Sequence, residues 1–232
     1  VVVDGVNYTA NLTNGVGHVH IKGLTNGTYN VNVTYIGDDQ YLLSINGTKL
    51  GVTKTNTTLT IRVEDINYGD TARISVTVGD NDATGFITIR INESMSITLP
   101  IVDNMVEWNV TGLAAGTYTV YANYSGDGSD NINNTSKVNR TFTVNQIAPG
   151  IHVVEVISEA GKPAIIIVEI DPRTSNAVNV KVDGSVYTNA TVNGRIIITT
   201  AVLENGTHSI NATYDGDKNF TKGYHAFNFV TN

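Results

Sequence analysis

Gly27-Thr28-Tyr29-Asn30-Val31-Asn32-Val33-Thr34-Tyr35-Ile36-Gly37-Asp38 alternates apolar and polar residues and closes on a Gly-Asp pair. Alternation of this kind makes a strand with one dry and one wet face, and Gly-Asp makes the turn that follows it. The stretch returns as Gly116–Asp127 and again as Gly206–Asp217. From Tyr35 to Tyr124 is 89 residues, and from Tyr124 to Tyr214 is 90. A period of about 90 residues, with glycine turns and alternating strands inside it, describes one small domain copied in tandem.

Residues 1–53 match 180–232 at a constant offset of 179: Asp4-Gly5, Tyr8, Asn14-Gly15, Leu24 and Asn26-Gly27-Thr28 meet Asp183-Gly184, Tyr187, Asn193-Gly194, Leu203 and Asn205-Gly206-Thr207. The first repeat is therefore expected to be the second half of a domain (1–53), followed by complete domains over 54–145 and 146–232. In the middle repeat the short runs rich in Val, Ile, Thr and Tyr predict strands at 57–63, 71–78, 86–91, 95–99, 105–110, 117–124 and 138–144. In the third repeat they fall at 151–156, 164–170, 177–182, 186–192, 195–200, 207–214 and 224–230. Seven strands in about 90 residues is the count of an immunoglobulin-like sandwich. The fold class expected is all-β, tandem sandwiches, with short linkers that favour an extended, semi-rigid rod.

Within Thr28–Tyr35 the apolar positions Tyr29, Val31, Val33 and Tyr35 face one way, so Asn32 faces the other; Asn123 and Asn211 point outward likewise on the later copies of the strand. All three begin an Asn-X-Ser/Thr triplet. Sixteen of the 28 asparagines do so: Asn7, Asn11, Asn26, Asn32, Asn46, Asn56, Asn92, Asn109, Asn123, Asn133, Asn134, Asn139, Asn189, Asn205, Asn211 and Asn219. With Ser and Thr together 42 of 232 residues, composition alone accounts for about five. The excess points to N-glycosylation and hence to an extracellular chain, although turn preferences and duplication also multiply such triplets.

Bulk chemistry narrows the classes further. A net charge of −7 with only 14 basic residues disfavours nucleic acid and anionic membranes as partners. No apolar run is long enough to cross a bilayer. The chain has no cysteine, which removes disulfides, thiolate metal sites and cysteine nucleophiles. No nucleotide loop, metalloprotease helix or nucleophile elbow occurs, so no catalytic residues are assigned.

Ahead of the repeated strand stands Leu24-x-x-Gly27-x-Tyr29, then Leu113-x-x-Gly116-x-Tyr118 and Leu203-x-x-Gly206-x-His208. A Tyr entering after a tight corner resembles the tyrosine corner of Greek-key sandwiches, and His208 is expected to fill that place with a ring nitrogen. The strand ends on Tyr35-x-Gly37-Asp38-x-x-Tyr41 and Tyr214-x-Gly216-Asp217-x-x-Phe220. This ending resembles the bacterial-type immunoglobulin-like repeats of adhesin-like surface proteins in bacteria and methanogenic archaea. The resemblance covers both complete repeats and the half repeat, and implies a cell-surface array without catalytic residues. The middle repeat departs from it at Gly126-Asp127-x-x-Asp130, where the aromatic is missing.

Four other chemistries have candidate residues. Asp80 and Asp82, in an oxygen-rich loop before Gly85, are the calcium candidates, with only Asp171 as a counterpart in the third repeat. His18 and His20 alternate on a predicted strand, facing outward without a third ligand. Lys54 and Lys162 with Asn145 and Asn228 form no repeat-wide trio with an acid, as an isopeptide cross-link would need. An exposed Tyr121 is not repeated in the other copies, so no aromatic platform for sugars is built. The function expected is a glycosylated stalk segment, with a filament or surface-layer subunit, completed by strand addition from a neighbouring chain, as the alternative. Its expected partners are neighbouring repeats or subunits, and a ligand bound by regions outside this segment.

Overall fold

A computed structural model describes residues 1–54, 56–79, 83–126 and 136–232. Among these the chain forms strands and no helix. The first repeat holds β1 (Val2–Val3), β2 (Val6–Asn7), β3 (Gly27–Tyr35) and β4 (Ser44–Val52). The middle repeat holds β5 (Leu59–Arg62), β6 (Ile66–Asn67), β7 (Ala72–Val78), β8 (Phe86–Ile91), β9 (Met95–Pro100), β10 (Met105–Val110), β11 (Gly116–Tyr124) and β12 (Ser136–Asn145). The third holds β13 (His152–Ile157), β14 (Lys162–Glu169), β15 (Val178–Val182), β16 (Ser185–Asn189), β17 (Arg195–Leu203), β18 (Gly206–Tyr214) and β19 (Gly223–Thr231).

The third repeat is a complete sandwich of a three-stranded sheet, β13-β14-β17, and a four-stranded one, β16-β15-β18-β19. Its fourth strand, β16, pairs with β15 and not with β17, so it extends the four-stranded sheet. Period-two alternation fills the space between the sheets. Ile166 and Val168 of β14 and Ile196 and Ile198 of β17 face Val178, Val180 and Val182 of β15 and Ile210, Ala212 and Tyr214 of β18. Each large side chain buried here contributes about 1.5–3 kcal/mol. The middle repeat follows the same plan, with sheets β10-β7-β5 and β6-β12-β11-β8-β9. Its short β6, absent from the sequence expectation, leaves the first sheet and pairs parallel with β12 through Val144 opposite Ile66. Two residues are too few to give a periodic signal.

The first repeat has only the equivalent of the four-stranded sheet, β2-β1-β3-β4. Residues 17–25, most of which align with β17, form no strand, so the expectation that His18 and His20 lie on one is corrected. The reason is the ladder. In the third repeat β17 hydrogen-bonds along β14, with Ile198 opposite Ile166 and Ile196 opposite Val168. No strand in the first repeat offers those partners, and an isolated extended segment is not stable in water.

The chain divides into two compact units, residues 1–63, 74–108 and 119–141 in one and 64–73, 109–118 and 142–232 in the other. Within the second, turns of the middle repeat close onto the third sandwich. Tyr68 meets buried Phe220 edge-on at 5.5 Å between centroids. The Arg173 guanidinium lies 5.0 Å from the Tyr68 centroid, held by a forked pair of bonds to Asp171 at 2.9 and 2.7 Å.

Candidate functional site

The candidate asparagines fall into distinct settings once strand pairing is known. Asn133 and Asn134, like the calcium candidates Asp80 and Asp82, lie outside the described residues. Asn32 on β3 and Asn211 on β18 share one register position on the outer face of their sheets, and Asn123 on β11 lies on the same face two residues further along, where the other copies have Thr34 and Thr213. Their cross-strand neighbours on one side are Gly47 for Asn32 and Ala226 for Asn211, the two smallest side chains available. Asn7 lies in the same outward row as Asn32, with Val2 between them. Asn109 and Asn139 are exposed on β10 and β12, and Asn11, Asn26, Asn56 and Asn205 are exposed in turns and loops.

Other candidates already have structural work. Asn92 sits in a left-handed turn (φ 48°), and its Oδ1 accepts the Thr119 amide at 2.9 Å. Asp4 and Asp183 hold the same turn in the other repeats (φ 42° and 45°) and accept the Asn30 and Ser209 amides, both at 2.8 Å. The turn thereby fastens the repeated strand to its neighbour in every copy. Asn46 pairs with Val33 and so shares the apolar face, not the outer one. Asn189 pairs with buried Val178, and its amide donates to the Ile197 carbonyl at 3.3 Å. Asn219 is half-buried; its Oδ1 accepts the Ala115 amide at 2.9 Å, and its own amide donates to Asp217. None of these settings is visible without the register.

The Gly-Asp pairs at 37–38 and 216–217 form closed caps, and Asp127 lies outside the described residues. Asp217 Oδ2 accepts the Tyr214 hydroxyl at 2.6 Å and both the amide and hydroxyl of Ser175 at 2.9 Å; Oδ1 accepts the Asn219 and Phe220 amides at 2.7 and 2.9 Å. Burial pushes this carboxyl up, but the hydrogen bonds from Tyr214, Ser175 and Asn219 outweigh it and hold it well below the usual carboxylate range. Asp38 repeats the arrangement with Tyr35, Gln40 and Tyr41, and its carboxyl is lowered first by the Tyr35 hydroxyl. With five donors on it, the Asp217 carboxylate has its lone pairs committed to the loop, whereas Asp38 accepts three. Among the described residues no three His, Asp or Glu side chains gather as metal ligands.

The corner recurs as expected in all three copies. Tyr29 donates to the Thr25 carbonyl at 2.8 Å, Tyr118 to the Ala114 carbonyl at 2.9 Å, and His208 Nε2 meets the Glu204 carbonyl at 2.9 Å. The other ring nitrogen of His208 bonds Asp183. That bond, then the Glu204 carbonyl, raises the imidazole above its ordinary value; the Ser209 amide, then His208, lowers Asp183. Because the folded value is raised, the stabilisation is complete below about pH 6.5. It is lost as pH rises through the folded value. His208→Tyr restores the corner without the charge, so the fall in melting temperature across that window should disappear; a fall as steep as in the parent chain would refute this.

A shallow hollow lined by Asn189, Ala190, Val192, Arg195, Ile196 and Ile197 holds one ionisable side chain, Arg195. That lining offers neither a nucleophile nor a base.

No family profile matches the chain, and no curated protein matches it. Among solved structures it is similar to the fibronectin(III)-like modules of Clostridium thermocellum CbhA (16% identity over 75% of this chain and 94% of that one, TM-score 0.30). It is similar also to a two-domain fibronectin type-III segment of chicken tenascin (16%, 74% and 98%, TM-score 0.39) and to titin A168–169 (10%, 76% and 98%, TM-score 0.35). The fold rests on the strand order and core described above.

Proposed function

We propose that this chain is a non-enzymatic, N-glycosylated stalk segment of an extracellular, adhesin-like surface protein of the kind found in methanogenic archaea. Its working units are repeats bounded near residues 53 and 145. The observation that carries the reading is the recurrent outward asparagine, Asn32, Asn123 and Asn211, on the wet face of the same strand in each repeat. Small neighbours at Gly47 and Ala226 leave room beside two of them for a sugar. A sugar there coats the sheet without entering the core, and a hydrophilic coat discourages edge strands from pairing with other chains. The stalk acts by spacing: it carries a ligand-binding region, outside this segment, away from the cell. The non-protein groups this reading calls for are the covalent glycans.

Glycopeptide mass spectrometry of the chain from a glycosylating host tests this. Sugar is expected on Asn32 and Asn211, with Asn219 bare because its side chain is engaged with Ala115. Unmodified asparagine at all the triplets would overturn the reading.

A filament or surface-layer subunit is the second reading, favoured by the open face of the first repeat. Val31 is half-buried and Val33 is 44% exposed, whereas their counterparts Ile210 and Ala212 are buried under the opposing sheet. Strands from a neighbouring chain would cover that face by addition along residues 17–25. Ordered fibres of the purified chain under the electron microscope would favour this reading; separate short particles at every concentration would eliminate it.

A further inference from the structure

The outer face of the β13-β14-β17 sheet differs from the same face in the middle repeat. Its outward positions include Glu155 and Ile157 on β13, Ile165 and Ile167 on β14, and Ile197 on β17; the register sets Ile157 opposite Ile165, and Ile167 between Glu155 and Ile197. Ile157, Ile165 and Ile197 are 53%, 38% and 56% exposed. Aligning the buried rows Ala164, Ile166 and Val168 with Ala72, Ile74 and Val76 puts Arg73 where Ile165 stands and Ser75 where Ile167 stands. The rows of β17 and β10 likewise put Glu107 at Ile197 and Asn109, a glycosylation candidate, at Thr199. The fold therefore does not require isoleucine on this face, since its own copy manages with Arg, Ser, Glu and Asn. No Asn-X-Ser/Thr triplet falls on β13, β14 or β17 either. Ile167, on the central strand, is only 7% exposed, but three exposed isoleucines around it in a sugar-free field are an arrangement that solvent exposure does not favour.

The charges at one end of the face say what covers it. Glu169 on β14 and Arg195 on β17 are register partners joined loosely at 4.0 Å, each about half exposed. A twofold axis running along the strands between β14 and β17 sets Glu169 of one copy over Arg195 of the other, twice. The same axis sets Ile167 over Ile197, twice. Sheets stack face to face with nearly aligned strands, so this geometry is an ordinary one. A surface whose acid and base exchange places under its own twofold is complementary to itself.

We propose that the outer face of the third repeat's three-stranded sheet is a self-association surface that binds the same face of a second copy. Three strands about 4.8 Å apart and about 20 Å long cover about 300 Å² per copy, well under a standard interface. The contact is weak between free chains, with association setting in at about 0.1–1 mM, and becomes effective when many copies stand side by side. It does not depend on how the first repeat is completed.

Sedimentation equilibrium of the unglycosylated chain from about 0.05 to 1 mM tests it. A monomer–dimer equilibrium is expected. Ile197→Glu, which installs the middle repeat's residue at an exposed site, should weaken it at least tenfold with the melting temperature unchanged. Glu169→Arg should weaken it similarly, and Glu169→Arg combined with Arg195→Glu should restore it, because the swap preserves both cross-pairs. A chain that stays monomeric throughout, or a dimer indifferent to Ile197→Glu, overturns the proposal. So does a dimer lost on Val33→Asn instead, which would place the contact on the open face of the first repeat.

Discussion

Phe220→Ala should lower the stability of the third repeat by about 3–5 kcal/mol, while Tyr41→Ala, at the same motif position in the first repeat, should change it by less than about 0.5 kcal/mol. The two residues end the same Tyr-x-Gly-Asp-x-x-aromatic run. Phe220 is fully buried, packs in the core between the sheets, and carries Tyr68 on its edge and Arg173 over its ring at 5.6 Å. Truncation leaves a cavity bounded by rigid strands, which relax little, and removes the platform on which Tyr68 and Arg173 rest. Tyr41 is 66% exposed, so its ring forfeits little on truncation. Differential scanning calorimetry of both variants reads the difference. Equal shifts would mean that the first repeat has a closed core in solution.

Asp217→Ala should cost about 2–3 kcal/mol, the second-largest effect expected of a single change. Five donors converge on that carboxylate, and the Tyr214 hydroxyl among them belongs to a fully buried ring. Alanine leaves them to compete for whatever water reaches the loop. The same group sets an acid limit. Its folded pKa is depressed below the unfolded value of about 3.9, so its contribution is fully present above about pH 4 and is lost as pH falls through the folded value. Asp217→Asn keeps an acceptor but not the charge, and should flatten the acid side of the melting-temperature profile. An unchanged acid slope in Asp217→Asn would show that the carboxylate is not held by these bonds. Together with His208, which acts at the alkaline side, the third repeat is expected to be most stable between the two windows.

Much of this was legible from one strand. The alternation in Gly27–Tyr35 gave both its existence and its faces, and the recurrence at 89 and 90 residues gave the number of copies. Strands such as Phe86–Ile91 and Met105–Val110 are where the period-two pattern puts them. The corner tyrosines and the substitution by His208 also followed from spacing, because the bond runs to a carbonyl only four residues away. The failures share a cause. Residues 17–25 carry a strand's sequence but form none, because a strand needs a partner and the first repeat's one sheet, β2-β1-β3-β4, offers them none. Asn46, Asn189 and Asn219 look like any other glycosylation candidate until pairing shows one on the apolar face and two already bonded.

The sequence by itself determined the all-β class, the repeat, and which residues of each strand share a face, since these depend on local alternation and on turn chemistry. Which faces are covered was decided only by tertiary structure. Burial is a property of two sheets brought together by long-range pairing, and identical motifs meet different fates: Tyr214 is sealed in a core, while the core-facing side of Tyr35's sheet stands open. The apolar outer face of the third repeat belongs to the same class of fact. Its isoleucines are scattered through the sequence, and only the register of β13, β14 and β17 gathers them into one surface.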